Sequence, residues 1–151
     1  MRSFIPAVTI AATMFINLLP IHAHAGEGEA TLFKNPQCGC CSAYAEHLRQ
    51  SGYKVKEVPT EKMSLIKKSY GITDEMSSCH TTLINGYVIE GHVPINVVDK
   101  FLSEKPDVTG IFLPGMPMGS PGMGVEKEEP FRIYSYDIKE NDHSITLYTI
   151  E

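Results

Sequence analysis

Apolar and polar side chains follow one another along the chain in patterns that change from strand-like to helix-like and back. Between residues 30 and 70, two short runs have the composition or alternation of strands, and two longer segments repeat apolar residues at helical spacing. The predicted strands are residues 30–34 and 53–58, and the predicted helices are residues 42–50 and 61–70. This order predicts an α/β core in which the first two strands pair in parallel.

Each predicted helix has an apolar face that we expect to be buried. In the first helix Ala45 and Leu48 mark that face. Either Cys41 or Tyr44 joins them, and Gly52 ends the helix. The buried face of the second helix is predicted to consist of its apolar residues, Met63, Leu65 and Ile66.

The next segment predicts a hairpin followed by a third helix. Residues 81–84 and 87–90 flank Asn85-Gly86, the strongest short-range indication of a β-hairpin. Pro94 is suited to the first position of a helix that runs to residue 103. The complete order, β-α-β-α-β-β-α, is that of a thioredoxin-like α/β fold.

The composition changes after Pro106. Residues 111–124 form a loop rich in Met, Pro and Gly, and a second hairpin is predicted beyond it, across Asn141-Asp142. The strands of that hairpin are residues 131–136 and 145–150. We therefore expect a C-terminal extension, residues 106–151, packed on the thioredoxin-like domain.

Residues 1–25 have the three parts of a secretory signal peptide. Arg2 provides the basic start, residues 4–19 the apolar run, and Ala23-His24-Ala25 the small-residue cleavage site, with cleavage expected after Ala25. A membrane anchor is the alternative, but the run is short for a span. The thioredoxin-like domain would then begin at the mature N-terminus and occupy residues 26–105, in an oxidising compartment.

Net charge narrows the range of partners. The chain carries a formal charge of −5, and removing residues 1–25 takes away Arg2 and no acid, which leaves −6. Such a chain lacks the basic surface that nucleic-acid binding requires. It also lacks a polybasic run for anionic lipid, and no later apolar span predicts membrane insertion after signal cleavage.

The cysteines carry the most specific chemistry, and all four lie after the predicted leader. They are Cys38, Cys40, Cys41 and Cys79. Cys38 and Cys41 form a Cys-x-x-Cys between the first strand and the first helix, as in thioredoxin-like redox proteins. The positive end of a helix favours thiolate, which is both a nucleophile and a ligand for soft metals. Two structural disulfides are the alternative, which the adjacent Cys40 and Cys41 make awkward.

Cys79-His80 precedes the third strand, where a thioredoxin-like fold places a loop opposite the Cys-x-x-Cys. A thiol and an imidazole can bind Cu(I), Cu(II) or Zn(II). One interpretation is a closed structural zinc site formed by Cys38, Cys41, Cys79 and His80. That set leaves Cys40 without a role, whereas closely spaced thiolates can bridge more than one Cu(I) ion, so the sequence favours copper.

Further donors of lower rank are Met116, Met118, Met123 and His92. The methionines lie on the Pro/Gly-rich loop, and thioether sulfur suits Cu(I). A hydrophobic plug over the site is the alternative role for them, and a structural hydrogen bond is the alternative for His92. His47 and His143 are expected to face solvent.

Four ordered motifs together closely resemble the CopG-type periplasmic copper-resistance proteins. The motifs are Cys38-Gly-Cys-Cys41, Ser78-Cys-His-Thr81, Gly86–Pro94 and Pro114–Met123. The resemblance implies a thioredoxin-like domain with a C-terminal extension, a periplasmic location, and cysteine-ligated copper, with a multinuclear cluster as an option. Carried over to this sequence, it implies four thiolate ligands and one nearby imidazole, from Cys38, Cys40, Cys41, Cys79 and His80.

These observations predict a protein of copper resistance or homeostasis that holds copper in a cysteine-rich site and cycles it between Cu(I) and Cu(II). One alternative is a thiol–disulfide oxidoreductase in which Cys38 attacks and Cys41 resolves. Another is a Cu(I) metallochaperone that passes copper to other periplasmic proteins. Whether the protein turns over as an enzyme does not follow from the sequence.

Overall fold

A single seven-stranded mixed sheet with three helices organises the residues that the computed structural model describes, 28–138 and 144–151. The predicted signal peptide, the Asn141-Asp142 turn and His143 lie outside them. The elements are β1 (Glu29–Lys34), α1 (Gly39–Gln50), β2 (Lys54–Pro59), α2 (Met63–Ser69), β3 (His80–Ile84), β4 (Tyr87–Glu90), α3 (Ile95–Glu104), β5 (Gly110–Phe112), β6 (Arg132–Asp137) and β7 (Ser144–Ile150).

The strand order in the sheet is β2-β1-β3-β4-β5-β6-β7. β1 pairs with β2 in parallel and with β3 in antiparallel orientation, so the predicted parallel pairing is confirmed. Residues 29–104 follow the predicted β-α-β-α-β-β-α order of a thioredoxin-like fold. No helix among the described residues combines the length and apolar character that crossing a bilayer would require.

The β3–β4 hairpin closes as its sequence predicts. Asn85 and Gly86 both have positive φ, 51° and 86°, which a two-residue hairpin turn of this kind requires. The third helix is also present, although Pro94 caps it from outside and Ile95 is its first residue. Proline suits either position because neither needs a donated backbone N–H within the helix.

The main core cluster joins the sheet to α1 and α3, and it fixes how α1 faces the sheet. Tyr44, Ala45 and Leu48 are fully buried, and so is Cys41. Cys41 and Tyr44 therefore both belong to the inner face, where the sequence indicated one of the two. This orientation places the N-terminal turn of α1 at the end of β1, beside the sheet.

The predicted buried face of α2 is wrong at Leu65, whereas Met63 and Ile66 are partly buried. No residue of this helix is fully buried, and the side chain of Leu65 is 61% exposed. Lys67 points inward instead, where its ammonium pairs with the buried carboxylate of Glu90. Residues two apart on a helix lie about 200° apart, so an inward Lys67 turns Leu65 towards solvent.

The C-terminal segment continues the same sheet. β5, a three-residue strand that the sequence did not predict, pairs in parallel with β4, and β6 pairs with β5. The predicted second hairpin is present as β6 and β7, with an irregularity between Ile133 and Tyr134. Gly110–Phe112 is too short to show a hydrophobic period, and its place is fixed by burial of all three residues between neighbouring strands.

Candidate metal centre

Four chain segments leave the sheet at the same edge, and they carry the predicted donors. β1 ends where β3 begins, since Lys34 pairs with His80. β4 and β5 end at that edge too, through the pairs Thr81–Glu90 and Glu90–Phe112. The cysteine turn, Cys79-His80, His92 and the methionine loop therefore start from one side of the sheet.

The cysteine turn forms the start of α1, three residues earlier than the predicted helix begins. Cys38 occupies the N-cap position, and its N–H donates to the Asn35 carbonyl at 3.0 Å. Cys38 and Cys41 form a disulfide across one helical turn, with 5.4 Å between their Cα atoms. Cys40 is a free thiol whose Sγ lies 3.4 Å from the Sγ of Cys38.

Cys79 is the second free thiol, and a buried carboxylate holds the segment that carries it. Glu90, at the end of β4, accepts the N–H of Ser78 at 2.7 Å and the hydroxyl of Thr81 at 2.6 Å, and it pairs with Lys67. Neither Glu90 nor Lys67 was predicted from the sequence to have a role here. The signal in the sequence was a glutamate, Glu90, at the end of an apolar strand. A buried carboxylate needs a partner, so this position could have been expected to form an ion pair.

The methionine loop is attached to the same segment. The Gly115 N–H donates to the Ser77 carbonyl at 3.0 Å, and the Ser78 hydroxyl donates to the Gly115 carbonyl. This attachment places the Sδ of Met116 at 3.6 Å from the Sγ of Cys79. Met116 is thus a neighbour of the cysteine cluster.

The other two methionines of the loop have different surroundings. Met118 is 45% exposed and lines a surface pocket with Phe131 and Tyr134. Met123 is partly buried. Its backbone N–H donates to the Ser120 carbonyl at 3.0 Å, which closes a turn. Of the three methionines, Met116 is the one with a described sulfur contact to a cysteine.

The loop also closes over the first turn of α1 at Gly122. A Cβ built there would lie 2.8 Å from the Cys40 carbonyl oxygen and 3.1 Å from the Tyr44 nitrogen, and the φ of Gly122 is 93°. Both the close approach and the positive φ require glycine at this position. The glycines of this loop therefore allow its backbone to cover the cysteine turn.

Two buried histidines lie beneath the cysteines. The rings of His80 and His92 have centroids 4.6 Å apart, and the ring of Tyr44 lies 4.6 Å from that of His80. Both histidines are fully buried. Both ring nitrogens of His80, and Nε2 of His92, are without a hydrogen-bond partner. An unpartnered buried polar atom costs about 1–3 kcal/mol, so three of them in one place form a set of donors that a bound ion would stabilise.

His92 is oriented by a single contact. Its Nδ1 lies 2.6 Å from the Pro121 carbonyl oxygen, which can only accept a hydrogen bond, so Nδ1 carries the proton. Nε2 is then left with a lone pair. A ring nitrogen that donates to a backbone carbonyl while the other remains bare is the usual arrangement of a metal-binding histidine.

Burial keeps both imidazoles neutral. It lowers the pKa of His80 well below its usual value, and the nearby His92 and Lys67 lower that pKa further. Burial also lowers the pKa of His92, although the hydrogen bond to Pro121 opposes the shift. The pKa of Cys79 is raised, first by burial and then by Cys40. The metal-free site therefore contains neutral imidazoles with lone pairs and a protonated Cys79 thiol.

The donor atoms form three overlapping groups, within each of which all atoms lie within 4.8 Å of one another. The groups are Cys38, Cys40 and Cys41; Cys40, Cys79 and His92; and Cys41, His80 and His92. All five residues that the sequence ranked first are included. His92, which the sequence ranked lower, joins two groups because the end of β4 brings it under the cysteines. His47 is exposed on α1, as predicted.

The zinc interpretation depends on a different set. Among the described residues, Cys38, Cys41, Cys79 and His80 do not together form any of these groups. The three groups instead share members, because Cys40, Cys41 and His92 each belong to two of them.

Comparisons with known proteins show what the chain is similar to. The family described as "Protein of unknown function, DUF411" matches residues 76–123, which contain Cys79, both buried histidines and the methionine loop. The solved structure "Copper resistance protein copG- Form 2" is 32% identical, with a TM-score of 0.70, and the match covers 81% of this chain and 98% of that one. The structure "Copper resistance protein copG- Form 1" is 31% identical, with a TM-score of 0.73 and coverage of 82% and 96%. No curated protein matches the sequence.

Proposed function

The chain belongs to the CopG family of copper resistance proteins, and we propose that it acts in the periplasm by holding copper as Cu(I) in its cysteine-rich site. Copper is the cargo of this function. Family membership and a Cys/His cluster that can hold a metal support a copper-related role. The oxidation state, the number of ions and the individual ligands belong to the proposal.

The observation that carries the proposal is the combination of crowded sulfur and unpartnered nitrogen. Thiol or disulfide sulfur from four cysteines meets the bare nitrogens of His80 and His92 at one edge of the sheet. Sulfur donors select soft ions, and imidazole also suits copper, so this donor set matches Cu(I) better than a hard cation. The orphaned nitrogens support this match because a bound ion would satisfy them.

In the reduced protein we assign the ligand role to five residues. They are Cys38, Cys40, Cys41, Cys79 and His80. The position of His92 in two of the donor groups supports adding it to that set, and the contact of Met116 with Cys79 supports a secondary thioether role. Met118 and Met123 remain candidates of lower rank.

The mixture of donors also supports a redox role. Thiolate favours Cu(I), whereas imidazole makes Cu(II) accessible, so a site with both can exchange single electrons with a partner. We propose Cu(I)/Cu(II) cycling on this basis. Electron paramagnetic resonance of the copper-loaded protein before and after a one-electron oxidant tests it, since a reversible Cu(II) signal is expected.

The test of copper holding is titration of the fully reduced protein. Cu(I) is added without oxygen in competition with a coloured Cu(I) chelator, and X-ray absorption then counts sulfur and nitrogen neighbours. We expect retained copper with mainly sulfur neighbours. His47→Ala is the matched control, because His47 is exposed on α1 and should leave the titration unchanged. Release of all copper to a weak chelator would contradict the proposal.

The disulfide favours a second candidate, a thiol–disulfide oxidoreductase. Cys38 is partly exposed and Cys41 is fully buried, as expected for an attacking and a resolving thiol. In that reaction the dithiol would reduce a substrate disulfide and itself become the Cys38–Cys41 disulfide. Insulin reduction with a thiol reductant measures this activity. Rapid turnover without copper retention would favour this candidate.

The exposed thioether of Met118 supports a third candidate, a metallochaperone. A soft donor at the surface can contact an incoming acceptor, whereas a buried one cannot. Transfer of Cu(I) to another periplasmic copper protein, faster from the wild type than from Met118→Leu, is the expected result. The periplasmic location is itself tested by N-terminal sequencing of the exported protein, with Gly26 expected as the first residue.

A further inference from the structure

Closure of the Cys38–Cys41 disulfide divides the copper donors into two classes. A disulfide sulfur has no thiolate charge, so Cys38 and Cys41 are lost as strong ligands when they are bonded to each other. Cys40 and Cys79 are free thiols in the same structure. Oxidation of the Cys-x-x-Cys therefore removes half of the thiolates and leaves the other half available.

The remaining donors already lie together while the disulfide is closed. Cys40, Cys79 and His92 each offer a ligand atom within 4.8 Å of the other two. The thioether of Met116 lies 3.6 Å from the Cys79 sulfur. Two thiols, one imidazole and a nearby thioether form a soft donor set of the kind that suits Cu(I).

His92 has its second nitrogen free for this purpose. The Pro121 carbonyl occupies Nδ1, which leaves Nε2 buried and without a partner. The other group that contains His92 also contains Cys41, which the disulfide takes out of use. With the disulfide closed, the group of free thiols is the one of these two groups that keeps all its donors.

We propose that the oxidised protein keeps part of the copper site, a place for one Cu(I) formed by Cys40, Cys79 and His92, with Met116 beside it. Binding moves no electrons: Cu(I) replaces the two thiol protons, which pass to solvent, and the Cys38–Cys41 bond stays intact. The inference rests on the proposed copper function and deepens it. Copper would then remain bound to the protein in an oxidising compartment, where the full set of four thiolates is incomplete.

The experiment compares oxidised and reduced protein directly. Wild-type protein is oxidised until mass mapping shows one Cys38–Cys41 disulfide and two alkylatable thiols, and it is titrated anaerobically with Cu(I) against bathocuproine disulfonate. We expect one retained Cu(I) per chain, with two or three sulfur neighbours and one nitrogen neighbour by X-ray absorption. His92→Gln should weaken binding by the oxidised protein by at least about tenfold, whereas His47→Ala should not change it.

A double variant makes the result independent of the oxidation procedure. Cys38→Ser with Cys41→Ser leaves only Cys40 and Cys79, and under reducing conditions it should bind one Cu(I) within about threefold of the oxidised wild type. Circular dichroism confirms that each variant is folded before it is titrated.

The outcomes separate this inference from the proposed function. Copper retained by the reduced wild type but by neither the oxidised protein nor the double variant would overturn the inference alone. Equal affinity of the wild type and His92→Gln in the oxidised form would overturn it as well. Absence of retention in every form, reduced wild type included, would instead overturn the proposed function.

Discussion

The site has two layers that differ in access to solvent, and the nitrogen donors lie in only one of them. We call Cys38, Cys40, Cys79 and Met116 the rim; all four are partly exposed, and all are sulfur donors. We call Cys41, His80, His92 and Tyr44 the floor; all four are fully buried. An arriving ion therefore meets sulfur first, whereas the unpartnered nitrogens lie beneath it.

Under the proposed function, the difference would link the stability of the fold to metal binding. The floor nitrogens weaken the metal-free fold, because each lost its water on burial and gained no partner. A bound ion would recover that free energy. The rim carries no comparable penalty, since partly exposed sulfur is weakly polar and still meets water. Substitutions in the two layers should therefore separate loss of affinity from gain of stability.

The largest effect is expected where the rim is anchored to the sheet. Glu90→Gln keeps the side-chain volume but removes the charge that pairs with Lys67 and accepts the Ser78 N–H. Breaking a buried pair in this way should lower the free energy of unfolding by about 3 kcal/mol and weaken copper binding through Cys79. Urea unfolding of the metal-free protein measures the first effect.

Glu46→Gln is the control for that variant. Glu46 pairs with Arg49 on the exposed surface of α1, so the expected change is below about 1 kcal/mol. An equally small change in Glu90→Gln would show that the buried pair does not hold the rim.

Within the rim, Cys40→Ser should have the strongest effect on binding. Cys40 belongs to two of the three donor groups, so its loss should lower Cu(I) affinity by about a hundredfold. The Cys38–Cys41 disulfide should still form, because Cys40 is not part of it. Chelator competition and mass mapping measure the two properties. Unchanged copper stoichiometry would mean that the third thiol is not a ligand.

A floor substitution should act in the opposite direction on the metal-free protein. His80→Leu replaces two unpartnered nitrogens by apolar carbon, which should raise the free energy of unfolding by about 1–3 kcal/mol. The same variant should lose part of the stabilisation that copper gives the wild type. Thermal unfolding with and without Cu(I) measures both.

Thr82→Val is the matched control for the floor. Its hydroxyl is also buried and unpartnered, two residues further along β3. The variant should be stabilised without any change in copper affinity. If His80→Leu instead destabilises the metal-free protein, His80 has a structural role that the contacts do not show.

Acid should weaken the metal-free protein through the floor. The pKa values of His80 and His92 are lowered in the folded protein, so below the usual histidine value of 6.5 the unfolded chain binds more protons. Stability is then full above pH 6.5 and falls as the pH drops, by up to about 1.4 kcal/mol per unit for each histidine. Urea unfolding across pH measures the slope. His80→Leu should show a shallower slope, and an equal slope would count against His80 as the titrating group.

The smallest effects are expected for the methionines. Met116→Leu should weaken Cu(I) binding by up to about tenfold, because its sulfur touches Cys79. Met118→Leu preserves volume at an exposed position and should change affinity by about threefold or less. Competition with a coloured Cu(I) chelator measures the Cu(I) affinity of each variant. No effect from either would identify the loop as a hydrophobic cover.

Features encoded by neighbouring residues could be predicted from the sequence. Asn85-Gly86 specifies its own turn, and the crowding of three cysteines within four residues is visible without any fold. Their meeting with Cys79 followed from the strand order, since the end of β1 and the start of β3 share one edge. The donor segments could thus be placed before the structure was known.

Features decided by distant contacts could not be predicted in the same way. The orientation of α2 depends on the pairing of Lys67 with Glu90, so the apolar pattern that marked Leu65 as buried was misleading. His92 stands alone in the sequence, and its importance depends on a ring contact with His80 and a carbonyl from Pro121. Such long-range contacts have no local pattern.

The seating of Gly122 on the first turn of α1 has a consequence for when the protein can work. The cysteine turn is made early in the chain, whereas its cover is made late and must settle against the Cys40 carbonyl. A chain that ends before Gly122 would contain all four cysteines but would lack the loop that covers the cysteine turn. High affinity for Cu(I) would then be expected only of the completely folded chain.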